Sequence, residues 1–238
     1  MKVIAVIPAR LASTRLPRKM LREIAGEALL ARVYAGVKAC ARLDQVVIAT
    51  DSDEILAFCQ KRGFPAQMTS PNCRSGTERV YEIATHSPAD VYLNIQGDEP
   101  LTRPQHIDSL IAVMHHPDVQ VGTLMTPAME IDIANPNAVK VVVDSSGRAL
   151  YFSRATIPHD RDGVCPQYFK HLGFYGYRKP ALDRFVALPE SRLERSERLE
   201  QLRFLENGIP IFVGETPFDT IGVDTEDDLR RVEAILLG

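Results

Sequence analysis

The sequence predicts an α/β protein: a mostly parallel sheet with helices on both faces, into which a mixed or antiparallel strand region is inserted. Three observations carry this. The first hundred residues alternate short apolar runs with helix-spaced segments, the rhythm of βαβ units. After about residue 118 that rhythm gives way to strand-like runs with turn signals between them. The length of 238 residues, 45% of them hydrophobic and 25% charged, fits one large α/β domain or two small ones and can bury a sizeable core.

The elements follow in order. Residues 2–7 form an apolar run that reads as a buried strand. Residues 27–41 place Leu29, Leu30, Val33, Tyr34, Val37 and Ala41 at helical spacing with one apolar face. "QVVIATD" (45–51) is a β-branched strand ending at Asp51-Ser52, a helix N-cap signal, and "DEILAFCQKRG" is the helix, closed by Gly63. Residues 75–84 read as a further helix, and "DVYLNIQGDEP" (90–100) as a strand that stops at Gly97. Sheets of this kind bind ligands at the carboxyl ends of their strands. That assigns the 8–19 loop, Asp51 and the 96–98 turn to one rim. Beyond residue 118, "VQVGTLMTPA", "AVKVVVD", "RALYFSR" and "KHLGFYGYRK" are strand-like, with "DSSGRA" as a turn. Helical spacing returns at 181–187 and 193–205. A strand at 209–214, a turn at "IGVDT" and a helix at 225–237 follow. No repeat, low-complexity tract or linker interrupts this order. The expectation is one domain over 1–238 with 138–178 as an inserted strand-rich region.

The net charge of −3 argues against general attraction to nucleic acid or anionic membrane, so any anion must be held by local basic clusters. No apolar run approaches the roughly 20 residues of a membrane span. The apolar part of "MKVIAVIPAR" is too short for a signal peptide and lacks a small-residue cleavage site, so the cytoplasm is the expected compartment. Cys40, Cys59, Cys73 and Cys165 form no CxxC pair, which argues against structural zinc and a disulfide framework.

Four segments could carry chemistry. Straight after the first strand, "IPARLASTRLPRKML" offers Arg10, Arg15, Arg18 and Lys19, with Arg22 just beyond, where phosphate-binding folds commonly place glycines. Arginine forks match phosphate oxygens and lysine adds a compact charge. Pro8 and Pro17 restrict this loop, and Arg18 and Arg22 read equally well as surface charge. "SGTER" reads as a helix start with Ser75 as cap, Gly76 allowing close approach and Glu78 as capping-box partner. Arg79, a cation in a first helical turn, opposes the helix dipole and therefore points to an anion or a carboxylate partner. Asp98 in "QGDEP" either caps the following segment or holds a metal. In "GVDTEDD", Thr225 and Asp228 can form the capping box, which leaves Asp224 spare. Two carboxylates from different strand ends beside a cationic loop suit Mg²⁺. Arg154, Arg161, His171, Tyr175, Glu200 and Gln201 each read singly as structural. Together they supply donors for a polyhydroxylated, anionic second substrate.

Nine stretches, from "IPARLASTRLPRKML" and "VVIATD" through "SGTERV", "NIQGDEP", "NPNAVKVVVD", "ALYFSRATIP", "KHLGFYGYR" and "LEQLRFLENG" to "GVDTEDDL", resemble, in order, the 3-deoxy-manno-octulosonate cytidylyltransferase (CMP-Kdo synthetase) family. The resemblance implies a Rossmann-like nucleotidyltransferase sheet. It implies transfer of CMP from CTP to the anomeric hydroxyl of 3-deoxy-D-manno-octulosonate (Kdo) with release of pyrophosphate, a product used in lipopolysaccharide biosynthesis. The related acceptors would be 8-amino-Kdo or a sialic-acid-like acid. By resemblance, CTP is bound by Pro8, Ala9, Arg10, Arg15, Lys19, Ser75 and Gly76, and catalysis falls to Lys19, Arg15 and Asp98. The sugar acid is contacted by Arg79, Gln96, Arg154, His171, Tyr175 and Gln201. Mg²⁺ is held by Asp98 and Asp224, and the 138–178 insert helps to form a homodimer. Three departures stand out. "LPRK" replaces the usual "LPGK", so a positive-φ requirement at Arg18 would make this loop differ. Cys73 stands where a histidine is common, and "FDTIGVDT" alters the approach to Asp224.

Overall fold

The computed structural model describes residues 1–11, 16–164 and 167–238. These divide into two compact units, Met1–Asp108 with Thr220–Gly238, and Ser109–Asp219. The strand-rich stretch expected at 138–178 lies within the second unit.

In the first unit, β1 (Val3–Ala9) is buried along its whole length. Val3, Ala5 and Ile7 face one way and Ile4, Val6 and Pro8 the other, so both faces of the strand are covered, as in parallel sheets flanked by helices. A 3-10 turn (Lys19–Leu21) and a short hairpin, β2 (Glu23–Ile24) and β3 (Glu27–Ala28), lead into α1 (Leu29–Lys38). β4 (Gln45–Thr50) runs into α2 (Asp53–Arg62), where Ser52 accepts the N–H of Ile55 and Gly63, at φ 69°, supplies the left-handed C-cap. β5 (Ala66–Met68), α3 (Gly76–His86) and β6 (Val91–Asn94) follow. The strand order is β6-β1-β4-β5, and every pairing is parallel. Helix α4 (Pro104–Met114) leads out of this unit, burying Ile107, Leu110, Ile111 and Met114 at helical spacing.

The second unit holds β7 (Val121–Pro127), α5 (Glu130–Ile133), β8 (Lys140–Val143), β9 (Ala149–Ser153), β10 (Phe169–Tyr177), α6 (Lys179–Ala187), α7 (Arg192–Glu197), α8 (Leu202–Glu206) and β11 (Ile211–Glu215). β11 pairs with β7 in parallel. β10 is antiparallel to β7 and to β8, and β8 is antiparallel to β9. The α/β expectation with a mixed strand region therefore holds. The single helix expected at 193–205 is two helices, because Arg198 takes a left-handed conformation (φ 55°) that ends α7. The chain then returns to the first unit with α9 (Glu226–Leu237). Among the described residues no helix is long and apolar enough to cross a membrane.

Candidate active site

In the first unit the carboxyl ends of β1 and β6 and the start of α3 converge. Gly97, just past β6, comes so close to the chain after β1 that an added Cβ would lie 2.7 Å from the Pro8 carbonyl oxygen and 3.1 Å from the Met20 sulfur. A Cβ on Gly76 would sit 3.5 Å from the Pro8 ring and 3.4 Å from the Asn94 amide. At Gly97 only glycine allows this approach without displacing backbone, whereas at Gly76 the contacts are ordinary packing against side chains. The Arg10 guanidinium donates to the Cys73 carbonyl, which ties the basic loop to the segment before α3. Ser75 caps α3 by accepting the Glu78 N–H at 3.3 Å. The Glu78 carboxylate takes the N–H and Nε of Arg74 at 2.7 and 2.8 Å. Pro8, Ala9, Arg10, Ser75 and Gly76 are thus brought to one rim. Arg15 lies outside the described residues. Asn94, which sequence reasoning missed, also belongs here: it is 1% exposed and its Oδ1 has no hydrogen-bond partner. Its signal was a polar residue closing the otherwise apolar run "VYLN".

Beside this rim the Lys19 ammonium donates to Asp98 at 2.6 Å and to Asp224 at 2.9 Å. The lysine side chain is 9% exposed, whereas the carboxylates are 26% and 45% exposed. Burial pulls the Lys19 pKa down, but the charges and hydrogen bonds of Asp98 and Asp224 outweigh it and hold the pKa above the ordinary lysine value. The two aspartates are stitched together by the Val223 N–H, which donates to the Asp98 carbonyl at 2.9 Å. The capping box of α9 is made by Thr225 and Asp228, as the sequence suggested. Asp228 also accepts the Asp224 N–H at 3.1 Å. One oxygen from each aspartate already faces a single cationic atom. Among the described residues no group of three or more His, Cys, Asp or Glu has metal-holding geometry. Two carboxylates without further protein ligands fit Mg²⁺, which keeps several waters and accepts phosphate oxygens. Gln96 lies half-buried in the same turn as Asp98.

Two basic residues behave differently from expectation. Arg79, expected among the sugar contacts, is fully enclosed at 0% exposure and is held by Asp51 and Thr69. A side chain without exposed surface touches no ligand in this arrangement. Of its two expected partners, anion or carboxylate, the protein's own carboxylate is the one found, while Ser52 alone caps α2. Arg18 keeps the left-handed conformation (φ 56°, ψ 31°), so the loop holds the positive φ in spite of the arginine. Its guanidinium pairs with Glu54 in an exposed ion pair. A non-glycine residue in this region costs about 1–2 kcal/mol, and an exposed ion pair returns about 0–1 kcal/mol. Arg18→Gly is therefore expected to raise the unfolding free energy by about 0.5–1 kcal/mol in urea titrations, with Glu54→Gln as the control for the ion pair. A loss of stability would contradict the strained-loop assignment.

The remaining candidates lie in the second unit. The His171 Nε2 is 2.9 Å from the Thr123 hydroxyl, whose own proton goes to the Phe174 carbonyl at 2.7 Å. The hydroxyl therefore accepts from His171, the ring proton sits on Nε2, and Nδ1 keeps its lone pair. Burial pushes the His171 pKa down to about 3, so the ring is neutral at physiological pH. Phe152 contacts His171 edge-on at 4.9 Å, and Tyr175 lies 5.4 Å away on the same ring. Tyr175 stacks on Tyr177, which stacks on Phe204 of α8. Gln201 immediately precedes α8 without capping it and is 6% exposed, with a buried Nε2 that has no partner. Arg154 follows β9 and is held by the Glu197 and Pro136 carbonyls at 2.8 and 3.0 Å. Its own carbonyl accepts from the fully buried Lys140 ammonium at 3.0 Å, which also donates to Asn135 and Ala138.

Comparison with known proteins adds to this geometry. The model of the cytidylyltransferase family matches residues 4–213. The 3-deoxy-manno-octulosonate cytidylyltransferase of Koribacter versatilis is 64% identical over 99% of this chain and 90% of its own length. That of Acidobacterium capsulatum is 59% identical over 100% and 97%. Among solved structures, CMP:2-keto-3-deoxy-manno-octonic acid synthetase complexed with CTP has a TM-score of 0.95 at 39% identity, covering 100% of this chain and 99% of its own.

Proposed function

The chain belongs to the cytidylyltransferase family, and from that premise we propose that it transfers CMP from CTP to the anomeric hydroxyl of Kdo, releasing pyrophosphate and supplying CMP-Kdo for lipopolysaccharide biosynthesis. The observation that carries this reading is the Lys19–Asp98–Asp224 cluster, set beside the loop that links Arg10 to the start of α3. Arg10, Arg15 and Lys19 bind the triphosphate, with Pro8, Ala9, Ser75 and Gly76 shaping the nucleotide side. Gln96, Arg154, His171, Tyr175 and Gln201 receive the sugar acid. The partnerless Gln201 amide, the Nδ1 lone pair of His171 and the Arg154 charge support this, since a polyhydroxylated carboxylate needs donors, acceptors and a cation.

The chemistry needs no nucleophile from the protein. The sugar hydroxyl attacks the α-phosphorus in line and releases its proton to solvent, a new O–P bond forms, and pyrophosphate departs with the electron pair of the broken P–O bond. The protein aligns the reactants and neutralises phosphate charge. Asp98 and Asp224 are the residues that would hold Mg²⁺. Once bound, that ion supplies positive charge against the phosphates and lowers the pKa of the attacking hydroxyl. We place the reaction in the cytoplasm and assign the active form as a homodimer.

A pyrophosphate-release assay across CTP, UTP, ATP and GTP, with Kdo, 8-amino-Kdo and a sialic acid as acceptors, tests the assignment. Kdo with CTP is expected to turn over fastest. Faster turnover of the sialic acid, or of another nucleotide, would overturn it.

A further inference from the structure

Asp98 and Asp224 already face a cation, and that cation is a side chain of the same protein. The Lys19 ammonium lies 2.6 Å from an Asp98 oxygen and 2.9 Å from an Asp224 oxygen, so two of its three protons are committed to them. Its side chain is 9% exposed, which holds it in place rather than leaving it to sample solvent. A magnesium ion would need carboxylate oxygens at about 2.0–2.1 Å, inside the space the ammonium protons fill. An ammonium and a divalent ion held on the same pair of carboxylates repel each other as like charges, so each weakens the other's hold there. The polyphosphate, which the loop is read to bind through Lys19, competes with the aspartates for that same ammonium.

Given the metal-holding role proposed above for Asp98 and Asp224, we propose that Lys19 is an internal competitor for the metal. In the metal-free protein it is the counter-ion of the two aspartates. The divalent cation binds by displacing it, and the displaced ammonium becomes available to the triphosphate. Metal and CTP then favour one another, because each stabilises the arrangement in which Lys19 has left the aspartates, and the coupling is reciprocal. A lysine devoted only to phosphate would leave metal affinity in the absence of nucleotide untouched.

The test uses Mn²⁺ without nucleotide, with free ion followed by its electron paramagnetic resonance signal. Lys19→Met is expected to bind Mn²⁺ at least tenfold more tightly than the wild type, and adding Asp98→Asn is expected to abolish the gain. Lys19→Gln should move affinity in the same direction and serves if the methionine variant does not fold. On the wild-type chain labelled with ¹⁵N-lysine, the Lys19 Nζ resonance, identified by its absence from Lys19→Gln, should shift when Mg²⁺ alone is added. Unchanged or weaker Mn²⁺ binding by Lys19→Met, or an unmoved Nζ resonance while Mn²⁺ binds, overturns the competition. Mn²⁺ binding that is insensitive to Asp98→Asn even with CTP present overturns the metal assignment itself, so the two failures are distinguishable.

Discussion

Replacing Asp98 by alanine is expected to lower turnover at saturating CTP and Kdo by about a thousandfold, roughly 4 kcal/mol of barrier. The protein should stay folded. Asp98 is partly exposed and belongs to no apolar cluster, and Lys19 retains Asp224 as its partner. The stability loss should be about 1 kcal/mol, the order of one charge-assisted hydrogen bond in a partly open setting. Asp98→Asn is the sharper variant, because it keeps the volume and one hydrogen-bond acceptor and removes only the charge that would hold the metal. Steady-state kinetics beside thermal unfolding separate the two effects. A variant retaining more than about a tenth of the wild-type rate, a difference of only about 1.4 kcal/mol, would remove Asp98 from the reaction.

Arg79→Met should act on stability first and on CTP second. The guanidinium is fully enclosed and is the charge partner of Asp51, whose side chain is 21% exposed. Leaving a mostly buried carboxylate unpaired costs about 3–5 kcal/mol, and the residual exposure of Asp51 puts the expectation at the lower end, about 3 kcal/mol. Because Arg79 sits one turn after Ser75 and Gly76, its loss should also loosen the start of α3 and raise the KM for CTP more than it lowers kcat. Combining Arg79→Met with Asp51→Asn should cost clearly less than the sum of the single changes, because the double variant leaves no orphaned charge. Additive losses in urea unfolding would mean that the pair is not the source of the effect.

The parts of the fold that were legible are those written in local sequence. β1 is buried on both faces, so it appears as an uninterrupted apolar run. Ser52, Gly63, Ser75 and the Thr225–Asp228 box act within four residues of themselves, so their roles could be read directly. β5 escaped notice because its three residues are only half-buried or exposed and carry no apolar pattern. The break at Arg198 escaped because helical spacing runs through both α7 and α8 while the backbone turns left-handed between them. The candidate site was legible as parts. Basic loop, strand-end aspartate and spare aspartate each announced themselves. That Lys19 would bridge partners 79 and 205 residues away depends on topology, which no local pattern encodes. The same holds for Arg79, whose carboxylate partner lies 28 residues earlier at a strand end that looked like a helix cap. Arg18 shows a different limit. The residue type argued for a changed loop, but the backbone around it enforces the left-handed conformation at an arginine's expense.

The return of the chain to its first unit has a consequence for biosynthesis. Residues 1–108 leave the ribosome first, carrying Lys19 and Asp98, yet Asp224 belongs to the segment Thr220–Gly238 that completes their unit. At about 5–20 residues per second, the intervening Ser109–Asp219 takes roughly 6–22 s to be made. Throughout that interval the nascent chain has Lys19 with only one of its two carboxylate partners. The Lys19–Asp98–Asp224 cluster is therefore complete only once the segment that begins at Thr220 has been made.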